Sequence, residues 1–478
     1  MRALRYFSGV FLVLAVVVAI FVFVARRPAI APIEPPAAKS FAVAQVRRGA
    51  ELAAIGNCDV CHTAPGGQAF AGGRAVPTPF GTIFSTNITP DGDTGIGRWS
   101  EAAFRRAMRE GVRRDGQYLY PAFPYDHFTL VSDDDDSALY AFLMTQPPVR
   151  ATAPSNQLPF PLNIRLLLFG WNSLFLREGP DRANAGQSDA LQRGAYLTEG
   201  LGHCGACHTP RNVLGAEQTS KKLAGGEVEG WTAYALDASS PAAVPWTAEA
   251  LQRYLQHGSD TAHGVARGPM AEVAQDLRTA NADDVSAIAR YVAAQHGNAA
   301  AAAPAAAQQV SAQAQRGKTT APDSADSQAE VLRENPATNG AANEEGARLY
   351  AAACAGCHEG PRAMPYGGID LALSSGITGP SARNLVNVVL YGLPAAEAAR
   401  SPIMPGFAAS LNDRQIAALA TYLRARFSDK PAWSDVEQTV RDARRAERAA
   451  SVRPAPSGEP IPPPARRTSS NETEDEKQ

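Results

Sequence analysis

The sequence predicts a mainly α-helical chain, with three tandem helical repeats behind one N-terminal apolar helix. Three observations carry this. Residues Tyr6 to Ala25 contain no formal charge and lie between Arg5 and Arg26. A Gly-Ala-x-Leu signature recurs as Gly49-Ala50-Glu51-Leu52, Gly194-Ala195-Tyr196-Leu197 and Gly346-Ala347-Arg348-Leu349, each time shortly before a cysteine. A second echo closes each unit: Ala138-Leu139-Tyr140-Ala141-Phe142-Leu143, Ala287-Ile288-Ala289-Arg290-Tyr291-Val292 and Ala418-Leu419-Ala420-Thr421-Tyr422-Leu423. Each echo has apolar residues three or four apart, the period of a helix face. Self-similarity of this kind marks repeated structural units.

Residues 1–45 are expected to hold a membrane anchor and a linker. An apolar run of about 20 residues makes a helix about 30 Å long, the thickness of a bilayer's hydrocarbon core. It is longer than the apolar region of a cleavable signal peptide, and Pro32 follows the cleavage-like Ala29-Ile30-Ala31. Residues 46–150 form the first repeat. Residues 151–185 are an apolar connector centred on Leu166-Leu167-Leu168-Phe169-Gly170-Trp171. Its expected role is packing against a repeat; the alternative is docking on a partner or the membrane interface. Residues 186–297 form the second repeat. Residues 298–343 are rich in Ala, Gln, Pro, Asn and Ser, too poor in large apolar residues to offset ordering entropy, and read as a disordered linker. As a flexible coil it would reach roughly 35–40 Å. Residues 344–430 form the third repeat. Residues 431–478 begin with a helix capped by Ser434 and end in a Pro-rich, charged, disordered tail.

The 478 residues carry a formal net charge of -2, which argues against nucleic acid as a partner. The six cysteines are too few for a disulfide-stapled array. All six fall in C-x-x-C-H pentads: Cys58-Asp59-Val60-Cys61-His62, Cys204-Gly205-Ala206-Cys207-His208 and Cys354-Ala355-Gly356-Cys357-His358. Two thiols three residues apart can form thioethers to the vinyl groups of one haem, and the following His then sits under the iron. Zinc would want four ligands, and no repeat has a further Cys. Three covalently bound haem c groups are therefore expected, with His62, His208 and His358 as proximal iron ligands. Haem c is attached outside the bacterial cytoplasmic membrane, so the repeats should face the periplasm.

The sixth ligand decides what the iron does. A Met thioether closes the site and raises the potential. Met270 and Met404 both stand in Pro/Gly loops before the last helix of their repeats, and are the expected ligands there. Met364 is the rival in the third repeat. Met108 and Met144 lie on helical patterns and read as core. In the first repeat the place of Met270 is taken by Phe123, which cannot ligate iron. His127, in the same loop, is the expected replacement, giving that haem a lower potential. The alternative is a surface histidine. Asp133 to Asp136 read as a solvated helix start. His203 is expected to hydrogen-bond locally, and His257, His263 and His296 to pack or face solvent.

These residues resemble the triple-haem cytochrome c subunits of bacterial periplasmic dehydrogenases. The matching stretches are Phe80–Pro90, Gly95-Ile96-Gly97-Arg98-Trp99, Tyr120-Pro121-Ala122-Phe123-Pro124-Tyr125, His203–Asn212 and Met404-Pro405-Gly406-Phe407. The resemblance implies three tandem class I cytochrome c domains and an electron-transfer role. Electrons would come from a dehydrogenase catalytic subunit and pass to quinone or a terminal oxidase. Phe123 with His127 tilts the partner toward a molybdenum hydroxylase, ahead of a quinoprotein or flavin alcohol/sugar dehydrogenase. The rival class is a haem enzyme, a peroxidase or small-molecule reductase using an open sixth position.

Overall fold

The computed structural model describes residues 2–179, 189–297, 341–359, 370–393 and 403–451. The expected disordered linker lies outside them up to residue 340. So do Met364 and the tail beyond 451.

The chain is mainly helical. Helix α1 is Arg2–Ala25, α2 is Val43–Ile55 and α3 is Cys58–His62. A two-stranded antiparallel sheet follows, β1 Ala75–Thr78 with β2 Gly81–Phe84. Next come α4 Glu101–Glu110, α5 Tyr125–Phe128, α6 Asp133–Met144 and the connector helix α7 Leu168–Phe175. The second series is α8 Asp189–Tyr196, α9 Gly205–His208, the pair β3 Gly226–Val228 and β4 Trp231–Ala233, then α10 Ala248–His257, α11 Pro269–Leu277 and α12 Ala282–Gln295. A short pair, β5 Ser259–Asp260 and β6 Gly264–Val265, sits between α10 and α11. The third series is α13 Ala341–Ala353, α14 Ala355–His358, α15 Ser375–Thr378, α16 Arg383–Tyr391 and α17 Asp413–Phe427. Helix α18, Val436–Ser451, closes the described chain and starts two residues after Ser434.

The two sequence echoes meet in space. Helix α2 packs on α6, α8 on α12, and α13 on α17. At each crossing stands the glycine of Gly-Ala-x-Leu. A Cβ on Gly49 would lie 2.0 Å from the Ala138 carbonyl oxygen, on Gly194 2.1 Å from that of Ala287, and on Gly346 2.3 Å from that of Ala418. Only glycine lets the two backbones approach so closely. Side-chain caps start the helices: Ser100, Ser132, Thr247 and Asn281 each accept a backbone N–H, and Asn412 with Gln415 forms a reciprocal capping box.

The first two series share one apolar core, from Leu52, Phe104 and Leu139 through Leu197 and Leu201 to Ile288 and Val292. The third has its own, around Tyr350, Ile377, Val386 and Leu419, which α18 covers with Val436 and Val440. Met108 and Met144 are buried core residues, as expected.

Asp133 to Asp136 depart from a simple solvated helix start. Ser132 caps the helix, but Asp135 and Asp136 are buried. Asp136 faces Arg109 at 2.9 Å, and its burial raises its pKa to about 7 against the pull of that guanidinium. Asp135 belongs to a quartet with Asp284, Arg48 and Arg193. Arg48 Nη1 reaches Asp284 Oδ2 at 2.8 Å, and Arg193 Nε reaches Asp284 Oδ1 at 2.8 Å. The same two arginines approach Asp135 at 3.4 and 3.5 Å. Each arginine directly precedes its motif glycine, and each aspartate stands three residues before its motif alanine. The quartet therefore ties equivalent points of the first two series together. The third series has Glu345 and Gln415 at those places.

Helix α1 exists as expected. Among the described residues, however, no helix is long and apolar enough to cross a membrane.

Candidate haem sites

The two cysteines of each pentad bracket one turn of helix, in α3, α9 and α14. All six thiols are free of disulfides. Desolvation raises the thiol pKa of Cys58 and of Cys204 to about 12, and those of Cys207 and Cys354 to about 11.

The proximal histidines are oriented from behind. His62 Nδ1 donates to the Thr86 carbonyl at 2.6 Å, and His208 Nδ1 donates to the Tyr234 carbonyl at 2.6 Å. With the proton held on Nδ1, Nε2 keeps the lone pair that a metal requires. Burial lowers both pKa values, so both rings stay neutral. Sequence reasoning missed Thr86 and Tyr234 as orienting groups. They act through main-chain oxygens, which leave no mark in side-chain type.

A cavity of about 660 Å³ runs between the second and third series. One end is lined by Cys204, Cys207, His208 and Met270, the other by Cys354, Cys357, His358 and Met404. The structure thus brings the expected ligands of both repeats to one apolar space. Met270 stands at the start of α11, after Gly268 at φ 59°. Met404 is held by a backbone pair with Leu393, N–H to O at 3.0 and 2.8 Å. The preceding Gly392 has φ 69°, and a Cβ there would lie 2.3 Å from the Met404 oxygen.

The walls of this cavity are pinned across the two series. Asn384 accepts from the Thr232 N–H and donates to the Thr232 carbonyl, both at 2.8 Å, mimicking a strand against β4. Asn387 donates to the Gly230 carbonyl at 3.0 Å, and Thr378 to the Pro241 carbonyl at 2.6 Å. Inside the second site, His263 stacks on Trp246 at 3.6 Å and bonds Asp260 at 2.8 Å. His263 and His296 are buried packing residues.

His127 lies between the first two series. Both its ring nitrogens are taken: Nδ1 lies 2.6 Å from the Glu199 carbonyl, and Nε2 lies 2.7 Å from Glu217 Oε1. The ring packs beside Gly205 of α9, in the second series. Burial alone would lower its pKa, but Glu217 and Asp126 outweigh that and raise it. His127 is a bridge between series. His203 is another: Nε2 contacts the Gly56 carbonyl at 3.2 Å, in the first series instead of locally.

Residues 341–423 match the family of cytochrome c oxidase, cbb3-type, subunit III. Over 434 residues the chain is 46% identical to a nicotinate dehydrogenase subunit of Pseudomonas putida, covering 90% of this chain and 34% of that protein. It thus spans about a third of that relative. It is 36% identical to the gluconate 2-dehydrogenase cytochrome c subunit of Pantoea cypripedii, covering 81% of this chain and 86% of that one. It is also 36% identical to the fructose dehydrogenase cytochrome subunit of Gluconobacter japonicus, covering 84% and 83%.

Proposed function

Because the chain belongs to the cytochrome c subunits of dehydrogenases, we infer that it conducts electrons away from a dehydrogenase catalytic subunit through three covalently held haem c groups. Haem c supplies one-electron chemistry at iron. The chain's own residues fix its position and environment. Each cysteine pair anchors the group. His62, His208 and His358 would ligate the iron, the first two oriented by main-chain carbonyls. Met270 and Met404 would ligate the iron in the second and third repeats, and so keep water and small substrates from it. The observation that carries this reading is the convergence of both Cys-Cys-His sets with their Met residues on one cavity.

The rival haem enzyme needs an open iron, whereas the likeness to cytochrome subunits of dehydrogenases supports electron transfer. The three domains are read as residues 46–150, 186–297 and 344–430. The partner is a molybdenum hydroxylase first, and a quinoprotein or flavin alcohol/sugar dehydrogenase second. Quinone or a terminal oxidase is the acceptor. Helix α1 is the anchor, with the haem domains in the periplasm. Its exposed Phe11, Leu12, Val13 and Leu14 support this.

Haem counting on the purified holoprotein tests the core of this reading. Three haems per chain are expected, and two would overturn the count. Enzyme-like peroxide turnover by the isolated chain would overturn the role. Co-purification with a flavin sugar dehydrogenase would reverse the partner order.

A further inference from the structure

The connector helix α7 does not disappear into a core. Phe169 packs edge-on against Phe21 of α1, ring centroids 5.8 Å apart. On the other side, Trp171 Nε1 donates to the Leu214 carbonyl at 3.1 Å, which brings the Val213-Leu214 tip of the second series alongside. Around these contacts lies a patch of exposed large apolar side chains. Phe160 is 80% exposed, Leu174 60% and Val213 91%, with Leu162, Leu167 and Leu214 between 41% and 53%. Isolated apolar residues on a surface need no explanation, but six exposed ones on one helix, its flank and the loop tip bonded to it do.

We propose that α7 and its flanks form a platform that lies in the outer boundary of the lipid bilayer, a second membrane contact beside α1. This rests on the reading of α1 as the anchor. Two arguments select lipid over a protein partner. The first is continuity. Four consecutive residues of α1, Phe11 to Leu14, are each 57% or more exposed, so the helix is apolar on every side. One protein face cannot cover all sides of a helix, whereas lipid can. The patch touches this same helix. The second is depth. Phe21 stands four residues before Ala25, about 6 Å down the axis at about 1.5 Å per residue. Interfacial helices bury their apolar face about 5–10 Å into the headgroup boundary. Helix α7 has 8 residues, far too few to span a bilayer, so it lies along the surface. Exposed Arg26 and Arg177 flank the patch, where anionic headgroups would meet them.

Spin labels on the full holoprotein in phosphatidylethanolamine–phosphatidylglycerol vesicles test this. The native thiols are consumed by haem, so a single introduced cysteine takes the label. Leu162→Cys and Leu174→Cys probe the platform. Val16→Cys probes α1, and Arg414→Cys, with a side chain 76% exposed in the third series, is the aqueous reference. Haem content equal to the parent certifies each fold. At the platform, the ratio of oxygen to water-soluble nickel-chelate collisions is expected to be several-fold above that at Arg414. If Val16 reads as lipid and the platform reads as water, the platform is refuted while the anchor stands. Shielding from both reagents means a protein covers the patch and also refutes it. A Val16 label that reads as water removes the anchor, and the platform with it.

Discussion

Replacing Asp284 by Asn removes one negative charge from the Arg48–Asp135–Arg193–Asp284 quartet without changing its shape. Asp284 holds both arginines at 2.8 Å, and its side chain is 11% exposed. Hydrogen bonds to charged groups contribute about 1.5–3 kcal/mol each. Both arginines are about 30% exposed and keep Asp135 at longer range, so solvent and the second carboxylate recover part of the loss. The net cost is about 2–3 kcal/mol. At about 2–4 °C per kcal/mol for a unit of this size, the melting temperature should fall by about 5–10 °C. The effect is localised. Only the transition of the first two repeats should move, because the third has Glu345 and Gln415 at these places. It is also pH-dependent in a known direction. Burial alone would raise the Asp284 pKa, but Arg193 and Arg48 overrule it and hold it low. The stabilisation is present above the ordinary carboxylate pKa and is lost as pH falls through the depressed one. Thermal unfolding of the holoprotein at pH 7 and in strong acid, followed by circular dichroism and haem absorbance, reads both effects. An equal shift in the third repeat, or none in the first two, refutes the account.

Other substitutions test separate parts of the account. Gly346→Ala forces a Cβ against the Ala418 oxygen and should cost about 1–3 kcal/mol through overpacking, read as early melting of the third repeat. Met404→Leu should remove one Met–iron charge-transfer band in the near infrared and lower one of the potentials. Cys207→Ala should leave one haem held by the Cys204 thioether alone, visible as a red shift of the pyridine haemochrome band of the purified protein. His127→Gln should leave every iron's ligand spectrum unchanged. It should destabilise the protein more at pH 6 than at pH 9, because a raised histidine pKa contributes stability at low pH that is lost as pH rises through it.

The haem attachment points could be read directly because thioether chemistry demands fixed residues at fixed spacing. The motif glycines were equally visible, and the structure supplies their reason: a carbonyl about 2 Å from where a Cβ would be. The setting of His127 was illegible for a definite cause. Its partners Glu199 and Glu217 lie 72 and 90 residues further on, in the next series, so its own loop held no trace of them. The same applies to Asp135, which looked solvated until Arg193 arrived from the second series. Contacts between repeats leave no period in a sequence. The pairing of Asn384 with Thr232, which closes one wall of the cavity, was invisible for that reason.

That shared cavity has a bearing on how the molecule is made. A prosthetic group stitched on by two thioethers must be presented to both thiols before the surrounding walls meet. Cys207 and Cys354 open onto the same space, walled by Asn384 against β4 and by Arg267 donating to the Gly392 carbonyl at 3.1 Å. Those pairings join the two series across the space that both cysteines open onto, so the chain offers that space most freely while Asn384 and Arg267 are still unpaired.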